Sequence, residues 1–427
     1  MKLTKHPSVI ISEIMGIIYK GEMTTLSGGN ISMLDEEGNL WISPAGYDKG
    51  SLTPKDIVCV KKDGSYEGIH RPSSEFPFHY AIYDRRPDLK AVIHAHPKAL
   101  VSFSIVREIP DMKILPHTAD ICPSIGYAPY RLPGSEALGE SIANEFEKGF
   151  DAVIMENHGT VVGGKDLLSA FQRFEAMETA ALSIIDAKKL GGYNVLTDEQ
   201  VQKSFTQFPQ TRTGKSEIAY TTYELAVRDE IIRFVKRACK QKLMNNYFGT
   251  VSHRTHGDDF LVTRRHMARR FIRNKDVVKI TKGESEAGKE ASNLHQLHEA
   301  IYAKHDHVNS VIFTQGKGIS AFAISDAKFD TRTIPESYIL LKDIPFIGYD
   351  EFMADPSVLV NTLNKETPIV VIRNFGLVVT GTSMLDAYDR LEVAEFSAES
   401  LIESTLIGKL ARIGDGEIQD IVDKFLS

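Results

Sequence analysis

The chain repeats itself over most of its length. Residues 153–185, "VIMENHGTVVGGKDLLSAFQRFEAMETAALSII", align without a gap to residues 370–402, "VVIRNFGLVVTGTSMLDAYDRLEVAEFSAESLI", with identity at 14 of 33 positions. Two more blocks recur in the same order, 79–105 against 298–324 and 40–60 against 260–280, at offsets of 219 and 220 beside the 217 of the first. A period of that size is a whole domain, since solenoid units run to about 20–50 residues. The 427 residues suffice for two cores of ordinary size. Whatever fold serves residues 1–190 must therefore serve residues 221–427, and the polar stretch 191–220, rich in Thr, Gln and Gly, reads as the linker between them, with room for some order of its own.

Within each copy helical periodicity comes first, short β-branched runs follow ("NLWISP", "AVIHAH", "DAVIME", "TVVGG"), and a long amphipathic helix closes the block. Hairpin-length gaps such as "MLDEEGNLWI" imply antiparallel neighbours. The expectation is an α/β fold: two tandem three-layer α/β/α domains, each with a mostly antiparallel central sheet. A formal charge of −7 gives no overall attraction to nucleic acid or to an anionic membrane, so a small molecule or a protein is the expected partner. Three scattered cysteines cannot frame a disulfide scaffold, which suits a reducing, cytoplasmic setting. The N-terminal segment reads as an amphipathic helix rather than a signal peptide, and no window has the roughly 18 apolar residues of a membrane span.

Chemistry is concentrated in the first copy. His94 and His96 lie two apart at the end of a β-branched run, so on a strand their side chains share a face. His158 follows another strand in "ENHG". Three neutral imidazoles with a coordination position left open make the arrangement of a catalytic rather than a closed structural zinc. An isolated H-x-H is a weak signal, but the repeat sharpens it: the matched positions in the second copy are Phe313, Gln315 and Phe375, while Asn374 and Gly376 of the scaffold persist. Ligands of one ion are released together when the ion is lost, whereas unrelated packing residues are not. Glu75, in "PSSE", has become Leu294, which looks like the removal of a functional charge, although a capping Glu at an exposed helix start is the plainer alternative.

The motifs "GGNIS", "SPAG", "PSSE", "HAHP" and "ENHG", in this order and spacing, resemble the class II aldolase/adducin family over residues 5–190 and, more weakly, over 220–410. The resemblance implies zinc (or Mn2+, Co2+ or Fe2+) held by His94, His96 and His158, and Glu75 as acid/base. It implies a substrate phosphate in a pocket of Ser27, Gly29, Asn30, Gly46, Ser73 and Ser74, and glycine-flanked amides with serine hydroxyls do form anion nests. The implied activity is retro-aldol cleavage of a small ketose phosphate, like that of fuculose-phosphate aldolase. A sugar-phosphate 4-epimerase, dehydratase or decarboxylase on the same metal site, and a non-enzymatic adducin-like binding protein, stand as alternatives. Two departures bear on this. Ala45 replaces a frequent hydroxyl of the "TPTG" loop. The family's aldehyde-side tyrosine falls near His117 or Asp120, and "HTAD" is similar to the epimerase's "HAD", making Asp120 a further catalytic candidate.

In the second copy the loss of ligands resembles the family's non-catalytic branch. Family aldolases form four-fold rings, which a tandem chain would build as a homodimer. "TRRHMARRFIRNK" reads as an anion contact or as a solvated face over Met267 and Phe271, and "HDH" (His305, His307) as a solvated loop.

Overall fold

The structure is a computed structural model and describes residues 5–208, 212–214 and 219–426. Its contacts divide the chain into two compact units, residues 1–112 with 118–182 and residues 113–117 with 183–427.

In the first unit the strands are β1 (Asn30–Leu34), β2 (Leu40–Ile42), β3 (Val58–Val60), β4 (Tyr66–Glu67), β5 (Ala91–Ala95), β6 (Gly126–Ala128), β7 (Ala152–Met155) and β8 (Gly159–Gly164). They form one sheet in the order β4-β3-β2-β1-β5-β8-β7-β6, antiparallel except for β6 beside β7. The β1–β2 hairpin shows how local sequence enforces the pairing. Asp35 accepts from the Asn39 amide (2.7 Å) and the Trp41 indole (2.9 Å), and Gly38 takes φ 81° to turn the chain. Strand β5 sits between β1 and β8 with all five residues buried, so both of its faces are covered. Val92 packs with Leu40, Ile42, Phe78, Ile82 and Ile142 in the core beneath the helices Phe76–Arg85 and Glu136–Glu147. The helix Pro7–Lys20 buries Ile10, Ile11, Ile14 and Ile18 and packs on β1 and β2.

The second unit repeats this design with β9 (Arg212–Thr213), β10 (Thr250–Arg254), β11 (Phe260–Thr263), β12 (Val277–Thr281), β13 (Glu284–Ser285), β14 (Ser310–Thr314), β15 (Phe346–Ile347), β16 (Ile369–Ile372) and β17 (Gly376–Gly381). The order β15-β16-β17-β14-β10-β11-β12-β13-β9 is that of the first sheet with one strand added at the edge.

The added strand and a helix lie within the stretch 191–220. Thr197 and Gln200 form a capping box on the helix Asp198–Thr206, and β9 pairs parallel with β13. The stretch is polar because it is an edge and a surface helix of the second unit; residues 209–211 and 215–218 of it lie outside the described ones. The helix Leu167–Lys189 ends just before the expected boundary at 190, its residues up to 182 grouping with the first unit and those from 183 with the second.

Candidate metal centre

His94 is the fourth residue of β5 and His96 lies just beyond its end, on the same face. His158 occupies the turn between β7 and β8, where Asn157 takes a left-handed φ of 54°. Because β8 pairs with β5, with Ala95 opposite Thr160, the turn delivers His158 to the other two rings. The ring centroids are 4.6 Å (His94–His96), 5.0 Å (His94–His158) and 5.2 Å (His96–His158) apart, and one nitrogen from each lies within 4.8 Å of the others. Gly159 makes the approach possible: a Cβ there would stand 2.7 Å from both the Ala95 carbonyl oxygen and His96 Cδ2.

The protonation of His94 follows from its partner. Its Nδ1–H donates to the Thr160 carbonyl oxygen (3.0 Å), which leaves the Nε2 lone pair free. That Nε2 is buried without a hydrogen-bond partner among the described residues. Burial, assisted by neighbouring imidazoles, pushes His94 and His96 down to about 3, and burial also lowers His158. Three neutral, converging imidazoles with an orphaned inner nitrogen are a donor set that fits a divalent metal.

Glu75 stands at the head of the helix Phe76–Arg85. Its Oε2 is 3.5 Å from His94 Nε2 and accepts from Asn30 Nδ2 at 2.7 Å. Asn30 is opposite His94 across the β1–β5 pair, so sheet register brings the amide to the carboxylate. A cavity of about 160 Å³ opens beside these groups, and Ser27, Gly29, Asn30, Gly46, Ser73 and Ser74 all line it with Glu75, His96 and His158. Gly29 is required by its backbone: it has φ 72°, and a Cβ would lie 2.6 Å from the His94 carbonyl oxygen.

One lining residue escaped sequence reasoning. Lys49 is only 1% exposed; its Nζ donates to the Pro44 carbonyl oxygen at 2.7 Å, and burial lowers its pKa from 10.5 to about 8 against the opposing pull of Glu75. A lysine in "GYDKGS" ordinarily points to water, and the one available hint was its alignment with Arg269. Arg269 is buried too, its guanidinium donating to the carbonyls of Tyr247, Gly249 and Met267, which overturns the solvated reading for that arginine. His305 is likewise buried and bonded to the Val360 carbonyl oxygen, not solvated.

The structure does not bring Asp120 into the cavity. It is exposed on the short helix Pro116–Ile121 and is not among the lining residues. His117 belongs to the second unit, where its ring lies 3.9 Å from Phe248 and 5.7 Å from Phe375. Phe375 also packs on Phe313, Phe352 and Phe208, so the positions matching the metal ligands form an aromatic core. Gln315 donates from Nε2 to the Phe375 carbonyl oxygen.

The family model for the class II aldolase and adducin N-terminal domain matches the chain twice, over residues 10–184 and 229–402. The chain belongs to the class II aldolase and adducin family. Its two copies are two class II aldolase domains in tandem, and the three-histidine cluster lies in the first. Among relatives, a 5-deoxy-D-ribulose 1-phosphate aldolase of Bacillus thuringiensis serovar kurstaki is 32% identical over 213 residues, 49% of this chain and 97% of that protein. A 3-oxo-tetronate 4-phosphate decarboxylase of Haemophilus influenzae is 31% identical over 38% of this chain and 79% of its own length. An L-fuculose phosphate aldolase of Methanococcus maripaludis is 33% identical over 40% of this chain and 91% of its own length. These class II relatives are lyases that act on phosphorylated sugars or sugar acids. No helix among the described residues is long and apolar enough to cross a membrane.

Proposed function

We propose that the first unit is a zinc-dependent aldolase that cleaves a small ketose phosphate by retro-aldol chemistry. The observation that carries this reading is the convergence of His94, His96 and His158 beside Glu75 at a cavity lined by Ser27, Ser73, Ser74 and glycine-rich backbone. The three imidazoles would hold the metal, which when bound supplies a Lewis acid to polarise a ketone carbonyl. Ser27, Ser73, Ser74 and the amides around Gly29 and Gly46 grip the phosphate and set the distance from it to Glu75. Lys49 adds the positive charge that the neutral cradle lacks. The Glu75 carboxylate would take up the proton that the substrate hydroxyl loses as the carbon–carbon bond breaks and deliver it to the carbon left carbanionic, and the condensing direction runs the same transfers in reverse. Mn2+, Co2+ or Fe2+ would suit the same donors.

Loss of carbon dioxide from a 3-oxo acid phosphate leaves the same carbanion beside a ketone, and the decarboxylase relatives support this as a second reading. The two separate on one experiment. Zinc-loaded protein is offered 5-deoxyribulose 1-phosphate and 3-oxotetronate 4-phosphate, with released aldehyde and released carbon dioxide measured. Glu75→Gln should lower turnover by about 10²–10⁴ with zinc retained. Unchanged turnover in that variant sinks the acid/base assignment. We assign the enzyme to the cytosol, where its three buried thiols stay free, and to a homodimer that completes a pseudo-four-fold ring.

A further inference from the structure

Behind Glu75 runs a continuous line of buried polar groups that the chemistry above does not use. The amide that donates to Glu75 from Nδ2 is held at its other end, where Asn30 Oδ1 bonds His79 Nε2. His79 Nδ1 lies 2.7 Å from Ser32 Oγ, which is 2.8 Å from the Tyr83 hydroxyl. A carbonyl oxygen only accepts, so Nε2 of His79 carries the proton and Nδ1 accepts from the Ser32 hydroxyl. His79 is fully buried, and burial holds it well below its ordinary pKa, so it stays neutral with this tautomer. Every donor direction is then set, and the Asn30 NH2 group has to face Glu75.

The second unit supplies an internal control. Ser252, His298 and Tyr302 stand at the matching positions with the same bonds, 2.7 Å from Ser252 Oγ to His298 Nδ1 and 2.6 Å to the Tyr302 hydroxyl. Asn30 and Glu75, however, are replaced by Thr250 and Leu294. Thr250 bonds Ser292 instead, and His298 Nε2 is buried with no hydrogen-bond partner among the described residues. The Tyr–Ser–His half of the line is therefore scaffold, present in both copies. The bond from the imidazole Nε2 to an amide occurs in the copy that keeps the carboxylate. A purely structural histidine has no need of that outer bond, as His298 demonstrates.

We infer that His79 is a positioning residue for Glu75: its Nε2–H locks the Asn30 amide, which in turn holds the carboxylate beside His94. The inference rests on the reading of Glu75 as acid/base. His79 is absent from the cavity lining and from the metal cluster, so it touches neither substrate nor metal and acts through Asn30. Outer partners of this kind are worth about 10–100-fold in activity.

The test uses the full-length, zinc-loaded chain on the ketose phosphate that the wild type cleaves, beginning with 5-deoxyribulose 1-phosphate. His79→Phe should lower kcat about 10–100-fold with zinc content unchanged. His79→Gln, whose amide can still donate to Asn30, should recover most of the loss. His298→Phe removes the same imidazole from the same scaffold in the second unit and should leave kcat unaltered. In a Glu75→Gln background His79→Phe should add no further loss. An unaltered kcat in His79→Phe, an equal loss in His298→Phe, or a full additional loss in the Glu75→Gln background overturns the inference. A readout free of turnover is the crystal structure of zinc-loaded His79→Phe, in which the Asn30–Glu75 bond should be broken and the carboxylate displaced; a carboxylate in its wild-type place overturns the inference as well. If Glu75→Gln alone turns over like wild type, the acid/base reading falls, and the displaced carboxylate still decides the positional claim.

Discussion

Replacing Lys49 by methionine tests whether this unit trades stability for a buried charge. Holding the ammonium at about 8 where the unfolded chain has 10.5 costs the folded unit about 3 kcal/mol whenever both states are protonated, at about 1.4 kcal/mol per tenfold. The sign follows from proton counts. Below pH 8 both states carry the proton and the penalty is complete. Between pH 8 and 10.5 the unfolded state holds the proton and the folded state has released it, so stability rises with pH. From pH 7 to pH 10 the wild type should recover roughly 2–3 kcal/mol that Lys49→Met never lost. At pH 7 the variant's gain is offset by about 1–3 kcal/mol, because the Pro44 carbonyl loses its donor, but that cost is the same at both pH values and cancels in the comparison. The chain has a single tryptophan, Trp41, and it lies on β2, so its fluorescence during urea unfolding of metal-free protein reports on the first unit. A wild-type-to-variant difference that does not move between pH 7 and pH 10 would refute the reasoning. The same variant should raise KM for a phosphorylated substrate, since among the described residues Lys49 is the one lysine or arginine lining the cavity.

His94→Ala combined with His96→Ala should take zinc from about one equivalent per chain to none by metal analysis, and zinc retained in the variant would place the ion elsewhere. Gly159→Ala would drive a methyl to within 2.7 Å of the Ala95 carbonyl and His96, so zinc affinity measured by chelator competition should fall at least about tenfold; an unchanged affinity would mean that β8 and the His96 ring yield without cost. Phe313→His with Gln315→His and Phe375→His should fail to add a second zinc and should lower the melting temperature, because Phe248, Phe352 and His117 already fill that space. Two equivalents of zinc in that triple variant would show that the aromatic packing is no barrier.

The parts of the site that could be read from residues alone are those whose geometry is local. His94 and His96 share a face because a strand has period two, and "ENHG" announces a turn through Asn157 and Gly159. The duplication did the rest by displaying the same scaffold with Phe313, Gln315 and Phe375 in place of the imidazoles. Lys49 and His79 were not legible in that way. Their character depends on burial, and burial of a lysine in a polar loop or a histidine on a helix is decided by what packs over it. The order within 191–220 was hard to place for a related reason: a polar edge strand and a capped surface helix have the composition of a loop, although "TDEQ" at Thr197–Gln200 carried the capping signature.

By itself the sequence determined the duplication, the strand pattern, three metal-ligand candidates and the copy in which they survive, because all of these depend on periodicity and on comparison of one half with the other. Only the tertiary structure decided which side chains meet. The register of β1 on β5 sets Asn30 against His94, the helix that begins after Glu75 lays His79 over Ser32, and the segment 113–117 carries His117 into the aromatic core of the second unit. Those contacts join residues many positions apart, and the burial that brings them together is a property that no short stretch of chain contains.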